Sequence, residues 1–161
     1  MTIDEFCDLH GACNKGREWA IAHCVSMQDA WEKLPSEWLL WVATRPGVLT
    51  DRELRLFAVW SARQVQHLMT DERSLNALDV AERYANGDAT DEQLAAAGAA
   101  AWAAASDSGL DAAWAAAGAA ARAAARAAAS DAAVEAAGEA QCTWLRENTR
   151  PCFERGAAGR R

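Results

Sequence analysis

Beyond Leu94 the chain is composed largely of alanine, and that stretch can order itself in essentially one way. Alanine is the strongest helix former, while β-branched and aromatic strand formers are scarce along the whole sequence. No segment alternates apolar and polar residues with a period of two, so a sheet is not expected. From Trp114 the main non-alanine positions step by four: Trp114, Gly118, Arg122, Arg126, Ser130, Val134, Gly138 and Cys142. A step of four overshoots one helical turn by about 40°, so these side chains spiral around the helix instead of forming a stripe. The faces between them carry only methyl groups and let another helix come close. The expectation is a long helix, bent near Gly118 or Ser130, with Gly98, Gly118 and Gly138 as close-packing points. The same pattern also suits a repetitive stretch that needs only to be helical.

The first ninety residues are strongly punctuated. Thr2-Ile3-Asp4-Glu5, Thr50-Asp51-Arg52-Glu53 and Thr90-Asp91-Glu92-Gln93 are capping boxes, in which a hydroxyl and an acid or amide satisfy orphan amides at a helix start. Gly11 ends the first helix. Asn14 caps a second that runs to about Cys24. Ser26 starts a third that stops near Pro35, and Ser36 caps a fourth over 37–44. The helix after Thr50 reaches about Met69, with Leu54, Phe57, Ala58, Ser61, Val65 and Leu68 on one face. Thr70 caps the next, which carries Leu75, Leu78 and Ala81 to Gly87. The helix after Thr90 runs through Trp102 to a break at 106–109. Pro151 ends the last helix, and residues 156–161 read as a disordered tail. The fold expected is an all-α, multi-helix bundle. It forms a single domain over 1–155, with short helices over 2–87 and long alanine-rich helices over 91–150.

Charge narrows the partners. The net charge is −7. Residues 1–94 carry sixteen acids and nine bases, whereas residues 141–161 carry two acids and five bases. An acidic body argues against direct nucleic-acid binding, which draws most of its affinity from clustered Lys and Arg. It suits solubility and attraction to a basic protein. The longest uncharged stretch, 93–106, is too short and too alanine-rich to span a membrane. The start at Met1 shows neither a basic nor an apolar run, so a cytoplasmic setting with reduced thiols is expected.

Three groups of residues can carry function. Trp38-Leu39-Leu40-Trp41 is the most apolar run and reads as core, with Trp31 or Trp38 as the ring that can show an edge to a partner. Asp71, Glu72, Asp88, Asp91 and Glu92 sit at helix starts, where carboxylates favour the helix dipole. Around the Thr70 and Thr90 turns they can also form a negative patch for a basic partner. Cys7, His10, Cys13, His23 and Cys24 could hold zinc only if two helices meet there, and no paired C-x-x-C supports them. No phosphate loop, nucleophile elbow or zinc-protease motif occurs. No catalytic residue, metal ligand or cofactor site is therefore assigned.

The order of these pieces resembles the Imm-5-like group of immunity proteins of bacteria and their phages. The matching elements are Ala12-Cys13, Trp19, Ala30-Trp31, Trp38-Leu39-Leu40-Trp41 and a helix with Ala58 and Ala62. After them come Ala81-Glu82-Arg83-Tyr84-Ala85-Asn86-Gly87 and the alanine-rich helices with Trp102 and Trp114. The likeness covers about residues 12–150, mostly at aromatic core positions. The chain departs from it at Tyr84, where the group usually has tryptophan, and in lacking a proline-containing loop around residues 69–73. The resemblance implies a small protein that neutralises a toxin by binding it. Phage carriage implies an alternative, an anti-defence inhibitor such as an anti-CRISPR that blocks a nuclease complex. The expected function is occlusion of a basic effector by an acidic helical face. A zinc-dependent enzyme built on the Cys/His set is the chemical rival, and homo-oligomerisation through the alanine-rich helices a structural one.

Overall fold

The computed structural model describes residues 1–64, 66–107 and 131–154. It is all-α, as expected. The helices are α1 (Ile3–His10), α2 (Asn14–His23), α3 (Met27–Lys33), α4 (Ser36–Ala43), α5 (Asp51–Arg63), α6 (Glu72–Asn86), α7 (Asp91–Asp107) and α8 (Asp131–Asn148). A single 3-10 turn spans Gln66–Leu68, and no strand occurs among the described residues.

The three capping boxes form as read. At α1 the Glu5 amide donates to Thr2 Oγ1 at 3.2 Å and the Thr2 amide donates to Glu5 Oε2 at 2.9 Å. Thr50 with Glu53 and Thr90 with Gln93 repeat the exchange at α5 and α7. Each such cap is worth about 1 kcal/mol. Gly11 (φ 67°) and Gly87 (φ 85°) close α1 and α6 in the left-handed region, where a side chain would be strained.

Other boundaries differ from expectation. The cap of α2 is Cys13, whose Sγ accepts the Gly16 amide, and Asn14 is the first helical residue. Pro35 precedes α4 with no side-chain cap, so Ser36 is helical instead of capping. Asp71, not Thr70, caps α6, because its Oδ1 accepts the Arg73 amide at 2.8 Å. Helix α5 stops at Arg63, short of Met69. Arg63 there pairs with Asp79, at 2.9 Å, and Glu82 of α6, and donates to Gln66 Oε1, which fixes the chain as it turns back. Within α5, Val59 is buried and Ala58 exposed, while Leu54, Phe57 and Ser61 of the expected face are half-buried. The expected bend at Gly118 or Ser130, Val65 and the 156–161 tail lie outside the described residues.

The described residues fall into two compact units. The first comprises Met1–Leu54 with the chain from Glu135 onward. Its core holds Phe6, Trp31, Leu39 and Leu145, each about 1% exposed or less. Burying each contributes roughly 1.5–3 kcal/mol. Helix α8 is tied to the end of α3 by Arg146, which donates to the carbonyls of Trp31 at 3.0 Å and Leu34 at 2.8 Å. These are carbonyls at a helix end, the groups that lack a partner within the helix. Gly138 lets α8 pass close to Ser36: a Cβ there would stand 2.8 Å from Ser36 Oγ. Past α8, the Arg150 amide donates to Glu53 Oε1, the Cys152 amide donates to the Val48 carbonyl, and Phe153 packs on Phe6 and Trp31.

The second unit runs from Arg55 to Val134. Its described part is dominated by the α6–α7 hairpin, whose short connection makes the helices antiparallel neighbours. Val80 and Ala85 of α6 and Ala97 of α7 are buried. Among the described residues nothing lies within 4 Å of where a Gly98 Cβ would be, so they show no close packing there. The Arg55 guanidinium lies 4.7 Å over the Tyr84 ring.

Candidate functional site

The tryptophan-rich stretch resolves into a core ring and a rim ring. Trp31 is 1% exposed and packs against Phe153, so it cannot serve as the anchor proposed for it. The Ser26 cap sets the phase of α3, which turns Met27, Ala30 and Trp31 inward together. Trp38 is half-buried. Its ring lies 5.7 Å from that of Trp19, and its indole edge faces Gly16. Leu39, Val42 and Ala43 are the buried residues of the same helix, so α4 is buried on one side instead of all round.

Beside Trp38 the four short helices leave a pocket of about 370 Å³. Ile3, Phe6 and Cys7 of α1, Gly16 and Ala20 of α2, Met27 and Ala30 of α3, and Trp38, Trp41 and Val42 of α4 line it, with Leu34 and Glu37. The space exists because Gly16, Ala20 and Ala30 are small where bulky residues would meet across the helices. Its lining is almost wholly apolar. Glu37 is exposed, and neither its carboxylate nor the Trp38 indole N–H has a protein partner among the described residues. Glu37, Gly16 and the pocket escaped sequence reasoning; the small residues of α2 were the available signal.

The cysteines and histidines do not converge. Cys7 is buried, and desolvation pushes its thiol up despite the Arg17 guanidinium beside it. Cys24 is buried and raised likewise, by burial first and then by Asp29. A raised thiol is poor in the reactive thiolate. Cys13 spends its sulfur on capping α2. The His10 ring packs on Phe6 at 4.4 Å, and burial, with Arg45 nearby, lowers its pKa. His23 stacks on Trp19 at 4.4 Å and holds the Trp19 carbonyl 2.7 Å from Nδ1. Among the described residues no three His, Cys, Asp or Glu side chains gather as a metal site. The zinc-enzyme alternative thus loses the ligand set on which it rested.

The acidic residues separate into two groups at opposite ends of α6. The fifteen residues of that helix span about 22 Å, so the two turns do not make one patch. Asp71 at the first end is occupied: it caps α6 and pairs with Arg73 at 3.0 Å, which holds its carboxyl below the usual range. Glu72 beside it is exposed. At the other end Asp88, Asp91 and Glu92 are all exposed within five residues. This turn is rigidly built. Gly87 caps α6, the Arg83 guanidinium donates to the Asp88 carbonyl at 2.9 Å, and the Tyr84 hydroxyl donates to Asp91 Oδ1 at 2.5 Å. The Thr90 hydroxyl lowers the Glu92 carboxyl. None of the three carboxylates is in a salt bridge with a Lys or Arg among the described residues.

Trp102, one of the aromatic positions of the resemblance, is 77% exposed on α7 and is not a core residue. No helix of the described residues is long and apolar enough to cross a membrane. No protein-family model matches the chain, and neither a curated protein nor a solved structure matches it.

Proposed function

We propose that this chain is a protein-binding inhibitor of the immunity type, which neutralises a basic toxin or effector by covering its working surface. The observation that carries this reading is the turn at residues 88–92, where three exposed carboxylates have no salt-bridge partner among the described residues and the backbone is fixed by the Gly87 cap and the Arg83 bond to the Asp88 carbonyl. Carboxylates already in ion pairs would have to break them to bind; these three are in none among the described residues. A rigid anionic turn complements a cationic channel and loses little entropy on docking. The net charge of −7 adds long-range attraction toward a basic surface. The Imm-5-like resemblance points the same way.

The test is capture of a partner followed by reconstitution with it. Wild-type chain should retain a basic protein at low salt, release it as salt rises, and abolish its activity when mixed in equal amounts. The triple variant Asp88→Asn, Asp91→Asn, Glu92→Gln should lose most of that inhibition. Absence of any basic partner, or inhibition indifferent to both salt and the triple variant, would contradict the proposal.

A further inference from the structure

The apolar pocket lies in the first unit, away in sequence from the acidic turn, and nothing in the reading above uses it. Its volume of about 370 Å³ sits near the bottom of the range for small-ligand sites, roughly 300–1,000 Å³. That leaves space for a bulky apolar group but not for a long segment of chain. Its lining sets the chemistry of the occupant. Glu37 lines the pocket, is exposed and has no partner among the described residues, so its carboxylate calls for a positive charge next to an apolar body. The surrounding segment agrees: residues 1–44 carry seven acids and three bases. A neutral apolar molecule would leave Glu37 without a counter-charge. A second copy of this chain would bring a net −7 surface against an acidic one.

We propose that this pocket is a socket for one aliphatic or aromatic side chain of the partner protein, flanked in the partner by lysine or arginine that pairs with Glu37. The socket rests on the inhibitor reading and supplies what the acidic turn lacks. Charge speeds encounter, whereas a side chain enclosed in an apolar pocket slows release and carries most of the affinity. Gly16 lines the pocket beside Trp38. A Cβ there would lie 3.4 Å from Cys13 Sγ and 3.7 Å from the Trp38 ring, ordinary contact distances. Gly16→Leu should therefore plug the space against Trp38 without forcing the helices apart.

The probe is the tripeptide acetyl-Lys-Leu-Lys-amide, titrated into the ¹⁵N-labelled full-length chain while the tryptophan indole signals are followed. Saturable movement of the Trp38 and Trp41 indole signals is expected. Acetyl-Lys-Gly-Lys-amide should leave them still, and acetyl-Glu-Leu-Glu-amide should bind more weakly. Glu37→Gln should weaken the Lys-Leu-Lys probe roughly two- to fivefold, the range of an exposed ion pair. Gly16→Leu should abolish the movement while leaving the rest of the spectrum in place. If that variant does not fold, the Glu37→Gln and glycine-probe arms decide alone. Equal binding of the glycine probe, equal binding of the acidic probe, or self-association sensitive to Gly16→Leu would each overturn the socket. Partner capture that depends on the acidic turn but ignores Gly16→Leu removes the socket and leaves the inhibitor reading. The expected probe pattern with no basic partner captured removes the inhibitor reading alone.

Discussion

Two glycines inside alanine-rich helices offer a controlled comparison, because the same substitution should have opposite effects at each. Replacing an interior helical glycine by alanine gains about 1 kcal/mol of helix propensity. At Gly98 in α7 no described residue lies within 4 Å of the new methyl group, so the gain should appear in full. At Gly138 in α8 the methyl group would stand 2.8 Å from Ser36 Oγ and 3.0 Å from Ser36 Cβ, inside van der Waals contact. Relieving such overpacking costs about 1–3 kcal/mol, which cancels or exceeds the propensity gain. Gly138→Ala should therefore fall about 1–3 kcal/mol below Gly98→Ala. Urea unfolding followed by circular dichroism reads this difference. The clash is specific to Ser36, so Ser36→Gly should relieve it, with a favourable coupling of about 1 kcal/mol in the double-mutant cycle. If Gly138→Ala stabilises as much as Gly98→Ala, the close passage of α8 over Ser36 is wrong.

Arg146→Gln removes the two charge-assisted bonds to the carbonyls of Trp31 and Leu34 and should lower stability by about 2–4 kcal/mol in the same assay. Ser61 Oγ is buried with no partner among the described residues, so Ser61→Ala should raise stability by about 1 kcal/mol; a loss would mean that the hydroxyl is satisfied in solution. Glu53 also makes stability depend on pH. Burial raises its carboxyl, but the amides of Thr50 and Arg150 and the Thr50 hydroxyl outweigh that and leave it lowered. Its contribution is then full above the ordinary glutamate range and is lost as pH falls through that range and below. Glu53→Gln should flatten this acid limb in thermal unfolding; an unchanged limb would place the sensitivity elsewhere.

What was legible in the sequence was local. Thr2, Thr50 and Thr90 cap their helices because a capping box needs only four consecutive residues. Gly11 and Gly87 end helices because a positive φ is costly for other residues. What was not legible depended on tertiary placement. Nothing within α3 distinguishes Trp31 from Trp38 in α4; burial against Phe153, more than a hundred residues later, does. The stop of α5 at Arg63 reflects ion pairs with α6 rather than any local breaker. The acidic residues seemed to gather in sequence, yet a helix fifteen residues long holds the two groups apart. The pocket beside Trp38 comes from small side chains on different helices facing one another, and only the assembled unit shows that.

The most direct measurement is the association rate with the captured basic partner, followed by stopped flow across a range of salt concentrations. Wild-type chain should associate quickly at low salt and slow steeply as salt rises, whereas the Asp88→Asn, Asp91→Asn, Glu92→Gln variant should start slower with a much shallower salt dependence. Identical rates and identical salt slopes for the two proteins would contradict an inhibitor that finds its target through this turn.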